Sequence, residues 1–406
     1  MALLPVEDAL ERLLAAARPI ERTETVGLHD AGGRVLAADI AARLTQPPFD
    51  NSAMDGYALR HADIVAIGAE ISVIGTSAAG HGFTGTVGEG EACRIFTGAP
   101  LPDGADTVLL QEDAEPAGER RIRTTFLPDK GRHIRPRGQD FVEGEVVLHR
   151  GDILDAGRLT VAAAMNHPSL AVYDRPKVAL LATGDELLPP GSAPGASKII
   201  ASNSFGVGEI AREAGAEVID LGIAGDDPDA ITDAVDWARA CGADVLVTLG
   251  GASVGDHDLI RPVLTKAGME LDFWRIAMRP GKPLMVGRLG AMQVLGLPGN
   301  PVSSLACAIL FLEPLLRRLA RLPDRDRLAP AINARTLPAN DKRQDYLRAR
   351  LKRRPDGTIE AHAFEKQDSS MMKVFAQSEG LIVRKPFAEG LPAGAACEVL
   401  VLRLPG

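Results

Sequence analysis

The chain has 406 residues, a formal net charge of −9, and 46% hydrophobic residues. That length exceeds one ordinary core and predicts two to four domains, while the apolar content excludes a disordered chain. The acidic balance excludes nucleic-acid binding through bulk electrostatics, and the longest apolar run, Leu305–Leu312, meets Glu313-Pro314 and is too short to cross a membrane.

Val6–Arg18 places Ala9, Leu10, Leu13, Leu14 and Ala17 at helical spacing and predicts an amphipathic helix. The stretch MALLPVEDALERLL has neither a basic region nor a cleavage-site pattern, so no signal peptide is expected. Cys93, Cys241, Cys307 and Cys397 have no paired spacing and read as buried thiols of a cytoplasmic protein. Leu36–Leu44 alternates in part and leads to Gln46-Pro47-Pro48, where extended backbone marks a domain boundary.

Asp50–Ala58, DNSAMDGYA, is dense in turn formers. It reads either as a tight loop closed on its own backbone or as a loop that projects the Asp55 carboxylate into a cleft. From Ile71 to Arg123, the runs ISVIG, CRIFTG, ADTVLLQED and RRIRTT are short, β-rich and broken by glycine, which predicts a small β domain. Thr97-Gly98-Ala99-Pro100 is a turn with an exposed hydroxyl. Lys130, Arg132, Arg135 and Arg137 crowd a Gly/Pro-framed loop suited to gripping a phosphorylated ligand. Ala156–Asn166 predicts a helix and Ala171–Tyr173 a strand.

From Lys177 the pattern changes. Val178–Ala182, Glu217–Ile223, Asp244–Leu249 and Val294–Leu297 are buried-strand runs. Helices are expected from Ser202-Asn203 to Gly215, after Asp226-Asp227-Pro228, and near Leu259–Ala267. This alternation argues a parallel sheet in a three-layer α/β/α domain. Leu322–Pro338 reads as a linker. Tyr346–Leu351, Leu381–Val383 and Glu398–Leu404 read as strands of a small terminal β domain, with the basic run Asp341–Arg354 as its solvated edge.

The chemistry gathers at strand ends. Gly250, Gly251, Ser253 and Gly255 follow a strand in a bend whose N–H groups can converge on an anion, usually a phosphate. Asp256, His257 and Asp258 come next, and carboxylates beside a phosphate call for an intervening hard cation such as Mg²⁺. Thr183-Gly184-Asp185-Glu186 ends another strand, and Pro298-Gly299-Asn300-Pro301 joins a third to a helix. Asp226 is open to a capping or a cleft role. Arg279-Pro280-Gly281-Lys282 supplies cations in a rigid turn. The carboxyl ends of the strands are where open α/β sheets bind ligands.

GGASVGDHD, LATGDEL, MRPGKP and LPGNPVS, with FDNSAMDGYA and FTGAPLPDGAD upstream, resemble the molybdenum-insertion enzymes of molybdenum cofactor biosynthesis and the E domain of gephyrin. The resemblance runs in order from about Leu10 to the C-terminus. It implies a discontinuous N-terminal linking domain (1–44 and 144–175), a β-rich insertion domain (45–143), an α/β molybdopterin-binding domain (176–322) and a C-terminal β-barrel-like domain (323–406). The implied reaction takes adenylylated molybdopterin and molybdate to molybdenum cofactor and AMP with Mg²⁺. Asp55, Thr97, Asp140, Glu186, Asp226 and Asp258 are implied as catalytic. Asp185, Glu186, Asp226, Asp256 and Asp258 are candidate metal ligands. Gly250, Gly251, Ser253, Gly255, Pro298, Gly299, Asn300, Pro301 and Ser369 are expected on substrate, with Arg275, Arg279 and Lys282 on molybdate.

The resemblance also implies a homodimer with a shared cleft, and contact with the molybdopterin adenylyltransferase and apo-molybdoenzymes. Many members carry lysine where this chain has Arg275 and Arg279, and a guanidinium is not interchangeable with an ammonium at an oxyanion. Two other readings stay open: an adenylyltransferase acting one step earlier, and a catalytically silent scaffold of the same fold.

Overall fold

A computed structural model of the chain describes residues 3–251 and 259–403, and divides into two compact units: Met1–Glu24 with Tyr173–Gly406, and Thr25–Val172.

The first unit is built on a six-stranded sheet ordered Glu217–Ala224, Lys177–Thr183, Val245–Leu249, Met292–Leu297, Met285–Leu289, Glu270–Trp274. The first four strands run parallel, and Met285–Leu289 is antiparallel to both of its neighbours. Strict alternation sorts the side chains. Val178, Leu180 and Ala182 face a core shared with helices Val6–Ala16, Asn203–Glu213 and Pro301–Leu319. Ala179 and Leu181 face a second core with helices Pro228–Ala240 and Ile260–Lys266. Burial on both faces explains why these strands read as continuous apolar runs, and it makes the three-layer α/β/α sandwich the sequence predicts.

The helix beginning at Pro301 widens to a π turn over Ala308–Leu312 before continuing as Glu313–Leu319. Pro314 has no N–H and would collide with a carbonyl one turn back; the wider turn accommodates it. No helix among the described residues is long and apolar enough to cross a membrane.

The same unit ends in a barrel. Gln344–Arg353 pairs with Ile359–Ala363 and also with Gly380–Arg384, and Leu328–Asn333 and Ala396–Val401 close the ring around Ala331, Ala349, Leu351, Ala361, Ile382 and Val399. Leu328–Asn333 corrects the expectation of a plain linker over 322–338. Its Pro330 masks an alternating pattern in which Ala331 and Asn333 are buried. The approach to this strand is fixed by Arg327, which donates to both oxygens of the buried Glu313 at 2.8 and 3.1 Å.

The second unit holds a six-stranded sheet ordered Thr107–Leu110, Gly56–Leu59, Glu91–Ile95, Glu70–Ser77, Arg121–Thr124, Ala114–Pro116. Leu59, Ala92 and Leu109 pack on one face, and Ala58, Ile95 and Val108 on the other. Gly56–Leu59 is a central strand rather than part of a tight loop, because Gly56 lets the neighbouring strand in. A Cβ there would stand 2.0 Å from the Leu109 carbonyl oxygen. A further core gathers Ala31, Leu36, Ile40, Leu148, Met165 and Val172 around helix Ala156–Ala164, whose first turn is capped by Asp155 accepting from Arg158 N–H at 2.9 Å.

Candidate functional site

Three neighbouring parallel strands end at one rim of the first unit's sheet. Lys177–Thr183 runs into Gly184, Asp185 and Glu186; Val245–Leu249 into Gly250 and Gly251; Met292–Leu297 into Pro298, Gly299 and Asn300. Backbone crowding dictates the glycines. A Cβ on Gly250 (φ +104°) would come 2.7 Å from the Thr183 carbonyl oxygen, and one on Gly251 (φ +61°) would come 2.5 Å from Ile260 Cγ1. Left-handed backbone in such tight quarters is glycine territory.

Asp226, at the end of the neighbouring strand Glu217–Ala224, is locked to the same rim. Its N–H donates to Asp185 Oδ1 at 2.9 Å, and Asp185 N–H reaches back to Asp226 Oδ2 at 3.5 Å. The helix cap is Asp227, whose carboxylate accepts from Asp229 N–H at 3.0 Å, so Asp226 is free of the capping role. Glu186 is exposed beside them, its carboxylate folded over the space a Gly184 side chain would fill. The buried Thr183 hydroxyl next to Gly250 and Gly251 has no hydrogen-bond partner among the described residues.

The barrel contributes to this rim across a long stretch of sequence. Asn300 Nδ2 donates to Ser369 Oγ at 3.0 Å, and Val302 N–H donates to the Ser369 carbonyl at 3.1 Å. Asn203 Nδ2 holds the Gly299 carbonyl at 2.7 Å, so both sides of the Gly299-Asn300-Pro301 turn are pinned. Behind the segment lies Arg348, missed by sequence reasoning because it sits in a basic run. It is 1% exposed, and its Nε and Nη2 have no partner among the described residues. Burial holds its pKa below the usual arginine range, opposed by Asp368.

The cations divide. Arg279 is held by Asp345 through Nε at 2.7 Å and through Nη2, and also reaches Asp341 at 3.3 Å and Asn340 at 3.2 Å. Hydrogen bonding to Asp345 raises its pKa further above its ordinary value. The structure thus gives the Arg279 charge a structural partner, whereas the sequence assigned it to an oxyanion. Arg275 has no carboxylate partner among the described residues and stacks on Trp274, its guanidinium carbon 4.4 Å from the ring centroid. Lys282 is exposed, and its carbonyl accepts from Ile276 N–H at 3.0 Å.

In the second unit Asp55 and Thr97 form one motif. Asp55 Oδ1 accepts from Thr97 N–H at 2.7 Å and from Thr97 Oγ1 at 2.8 Å. These bonds, with Arg94 nearby, hold the Asp55 carboxyl below the usual carboxylate range. Arg94 is itself fixed between Tyr57 and Phe96, 5.0 Å from each ring centroid, and donates to the Gly56 carbonyl at 3.0 Å. Asp140, exposed in the same unit, is anchored by its N–H on the Gln46 carbonyl at 3.0 Å and takes no part in the Asp55–Thr97 bonds. Ser253, Gly255, Asp256 and Asp258 lie outside the described residues.

The donors at the rim suit Mg²⁺. Thr183, Asp185, Glu186 and Asp226 offer only hard oxygens, and the mutual Asp185–Asp226 bonds keep two carboxylates together. Among the described residues no three acidic, His or Cys side chains converge into a ready cage. A Mg²⁺ that keeps its waters and takes one or two carboxylates plus phosphate oxygens needs none.

Comparison with known proteins covers almost the whole chain. Residues 4–166 match the MoeA N-terminal region (domain I and II), residues 179–318 the domain described as "Probable molybdopterin binding domain", and residues 330–402 the MoeA C-terminal region (domain IV). A molybdopterin molybdenumtransferase of Haemophilus influenzae is 34% identical, with 97% of each chain covered. Its counterpart from Nostoc sp. is 35% identical over 94% of this chain and 89% of that protein. The crystal structure of a molybdopterin biosynthesis MoeA protein from Pyrococcus horikoshii superimposes with a TM-score of 0.82 at 30% identity, covering 98% of this chain and 99% of that one. The chain belongs to the MoeA family of molybdopterin molybdenumtransferases.

Proposed function

We infer that this chain is an enzyme that inserts molybdenum into molybdopterin, the activity for which its relatives are named. The observation that carries the reading is the rim itself. Gly250, Gly251, Pro298, Gly299, Asn300, Asp185 and Asp226 meet along neighbouring strand ends, and Ser369 is delivered there from the barrel by Asn300.

In its finer form, the substrates are adenylylated molybdopterin and molybdate, and AMP is released. The Gly250 N–H is given to the Leu297 carbonyl at 3.2 Å, so the Gly251 N–H, continued by Ser253 and Gly255, binds the phosphoryl oxygens. Pro298, Gly299, Asn300 and Pro301 shape the adjoining wall, and Ser369, its hydroxyl oriented by Asn300, offers a hydrogen bond to substrate. Arg275 and Lys282 face molybdate, and Arg348 adds a buried cation that an anion would satisfy. Asp185, Glu186 and Asp226, with Asp256 and Asp258, would hold Mg²⁺, which supplies charge neutralisation at the phosphoryl group. Asp55, whose carboxylate accepts twice from Thr97, and Asp140 are further catalytic residues, carried by the second unit.

The test is reconstitution with purified adenylylated molybdopterin, molybdate and Mg²⁺, following AMP release. Accumulation of adenylylated pterin from molybdopterin and Mg-ATP would instead favour the earlier transferase step. We further propose a cytoplasmic homodimer that contacts the adenylyltransferase and apo-molybdoenzymes; light scattering on the purified chain tests the dimer.

A further inference from the structure

In the second unit's sheet, strand Gly56–Leu59 lies between Thr107–Leu110 and Glu91–Ile95 and is antiparallel to both. Tyr57 stands opposite Arg94 on one side and Leu109 on the other, which puts the three side chains on one face. Gly56 pairs with both Ile95 and Leu110, so Asp55 leaves the middle strand at the end where Phe96 and Thr97 leave one neighbour and Gln111 leaves the other. Both neighbours hold Asp55. Thr97 gives its N–H and hydroxyl to the carboxylate, and Gln111 gives its N–H to the Asp55 carbonyl at 3.1 Å.

One side chain spans all three segments. Arg94 Nη1 donates to the carbonyl of Gly56, the residue after Asp55, at 3.0 Å. Its Nη2 donates to the side-chain oxygen of Gln111. Its guanidinium carbon lies 5.0 Å from the ring centroids of Tyr57 and of Phe96, the residue before Thr97. Each group that fixes Asp55 is thus joined to the others through Arg94. An ammonium has no flat face to lie against two rings, and no rigid fork to reach two acceptors at once.

We propose that Arg94 is a positioning residue for the reaction: its guanidinium ties together the three segments around Asp55 and so keeps the Asp55 carboxylate on Thr97. This rests on the reading of Asp55 as catalytic given above, and it adds Arg94 to that reading, with Gln111 as its anchor.

Charge and geometry are separable by substitution. Arg94→Lys keeps the cation and loses the fork and the plane, whereas Arg94→Met loses all three. In the reconstituted reaction with adenylylated molybdopterin, molybdate and Mg²⁺, both should lower kcat roughly tenfold, the range of one lost charge-assisted hydrogen bond. KM for each substrate should stay within about twofold, because the loss falls on the chemical step rather than on binding. Gln111→Leu removes the anchor but leaves Arg94 in place, and should lower kcat in the same way by a smaller factor. Amide hydrogen exchange reads the positioning without reference to activity. The Thr97 and Gln111 N–H groups, both held by Asp55, should exchange faster in all three variants, while the amides of strand Glu70–Ser77 keep their protection and show the sheet intact.

On the residual activity of Asp55→Asn, a further Arg94→Met change should have little effect, since both substitutions remove one function. An undiminished further loss there, a kcat restored to the parent's by Arg94→Lys, a rise in KM with kcat unchanged, or unaltered exchange at Thr97 and Gln111 overturns the positioning role. Full activity in Asp55→Asn would instead overturn the reading of Asp55 on which the role rests. An impaired Asp55→Asn beside a fully active Arg94→Met refutes the role of Arg94 alone.

Discussion

Thr97 donates twice to a single oxygen of Asp55, through its N–H at 2.7 Å and its hydroxyl at 2.8 Å. Both bonds favour the ionised carboxylate, and the Asp55 pKa is lowered accordingly, first by the Thr97 N–H and then by its hydroxyl. The pair's contribution to stability is therefore complete above the ordinary carboxylate range of about 4 and fades as pH falls through the lower folded value. Thr97→Val removes the hydroxyl bond and keeps the N–H bond. The Asp55 pKa should rise toward its ordinary value, and the acid limb of the kcat/KM profile should move to higher pH in the same direction. A carboxyl-detected NMR titration checks the first statement and a pH–rate profile the second. An acid limb that stays in place would remove Asp55 from the catalytic set.

Gly250 and Gly222 both have positive φ, at +104° and +76°, but only Gly250 is crowded: a Cβ there would meet the Thr183 carbonyl oxygen at 2.7 Å, whereas Gly222 has nothing within 4 Å. Gly222→Ala should cost about 1 kcal/mol, the penalty of left-handed backbone alone. Gly250→Ala must also push two strand ends apart, and should cost roughly 2–4 kcal/mol and abolish AMP release. Urea midpoints and the reconstituted assay separate the two. Equal costs would mean that the strand-end crowding is not what selects glycine.

Arg279 meets Asp345 with two nitrogens, and the Asp345 side chain is 5% exposed. Arg279→Ala leaves that carboxylate buried without its cation. The expected loss is about 2 kcal/mol, below the range for a fully buried pair because the Arg279 side chain is 45% exposed. Asp345→Asn should cost less, since a neutral amide can still accept from the guanidinium. The KM for molybdate should remain within about twofold in both, a factor too small for a lost charge contact. A large rise in that KM in Arg279→Ala, with stability unchanged, would return Arg279 to the oxyanion site.

The α/β domain was legible because its strands are buried on both faces: Val178–Ala182 is apolar throughout and Val245–Leu249 apolar but for Thr248, and the groups that follow them read directly as strand-end chemistry. Gly56–Leu59 was hidden for the opposite reason. Its turn formers signal a loop, and only the approach of the Leu109 carbonyl makes Gly56 a strand residue. The basic run Asp341–Arg354 concealed a difference that charge counting cannot reveal. Arg350, Lys352 and Arg353 are exposed as a solvated edge should be, whereas Arg348 is buried. Barrel closure by Gly380–Arg384 covers the Arg348 end of the long strand, and that pairing joins residues far apart in sequence. Asn300 and Ser369 meet in the same non-local way, so their contact could be implied by resemblance but not by periodicity.

Arg348 yields the sharpest contrast between stability and activity. The residue is 1% exposed, with Nε and Nη2 unpartnered among the described residues, while its backbone is clamped by Gln367: the Arg348 N–H donates to the Gln367 amide oxygen at 2.9 Å, and the Gln367 amide nitrogen donates to the Arg348 carbonyl at 3.0 Å. The clamp holds the strand whatever side chain stands at 348, so a substitution there reads the buried charge. An unpaired buried cation is costly, and replacing such charges with apolar groups of similar volume is often stabilising by about 1–4 kcal/mol. Arg348→Met should therefore raise the urea midpoint of the ligand-free protein. It should also lower kcat/KM for the anionic substrates by tenfold or more, the order of one lost charge-assisted contact. Molybdate or AMP should raise the Tm of the unmodified chain by binding the folded state alone, and should do so less in Arg348→Met. A variant less stable than the parent would show that the guanidinium has a compensating partner within the fold, and an equal ligand-induced rise in Tm would show that no anion reaches it.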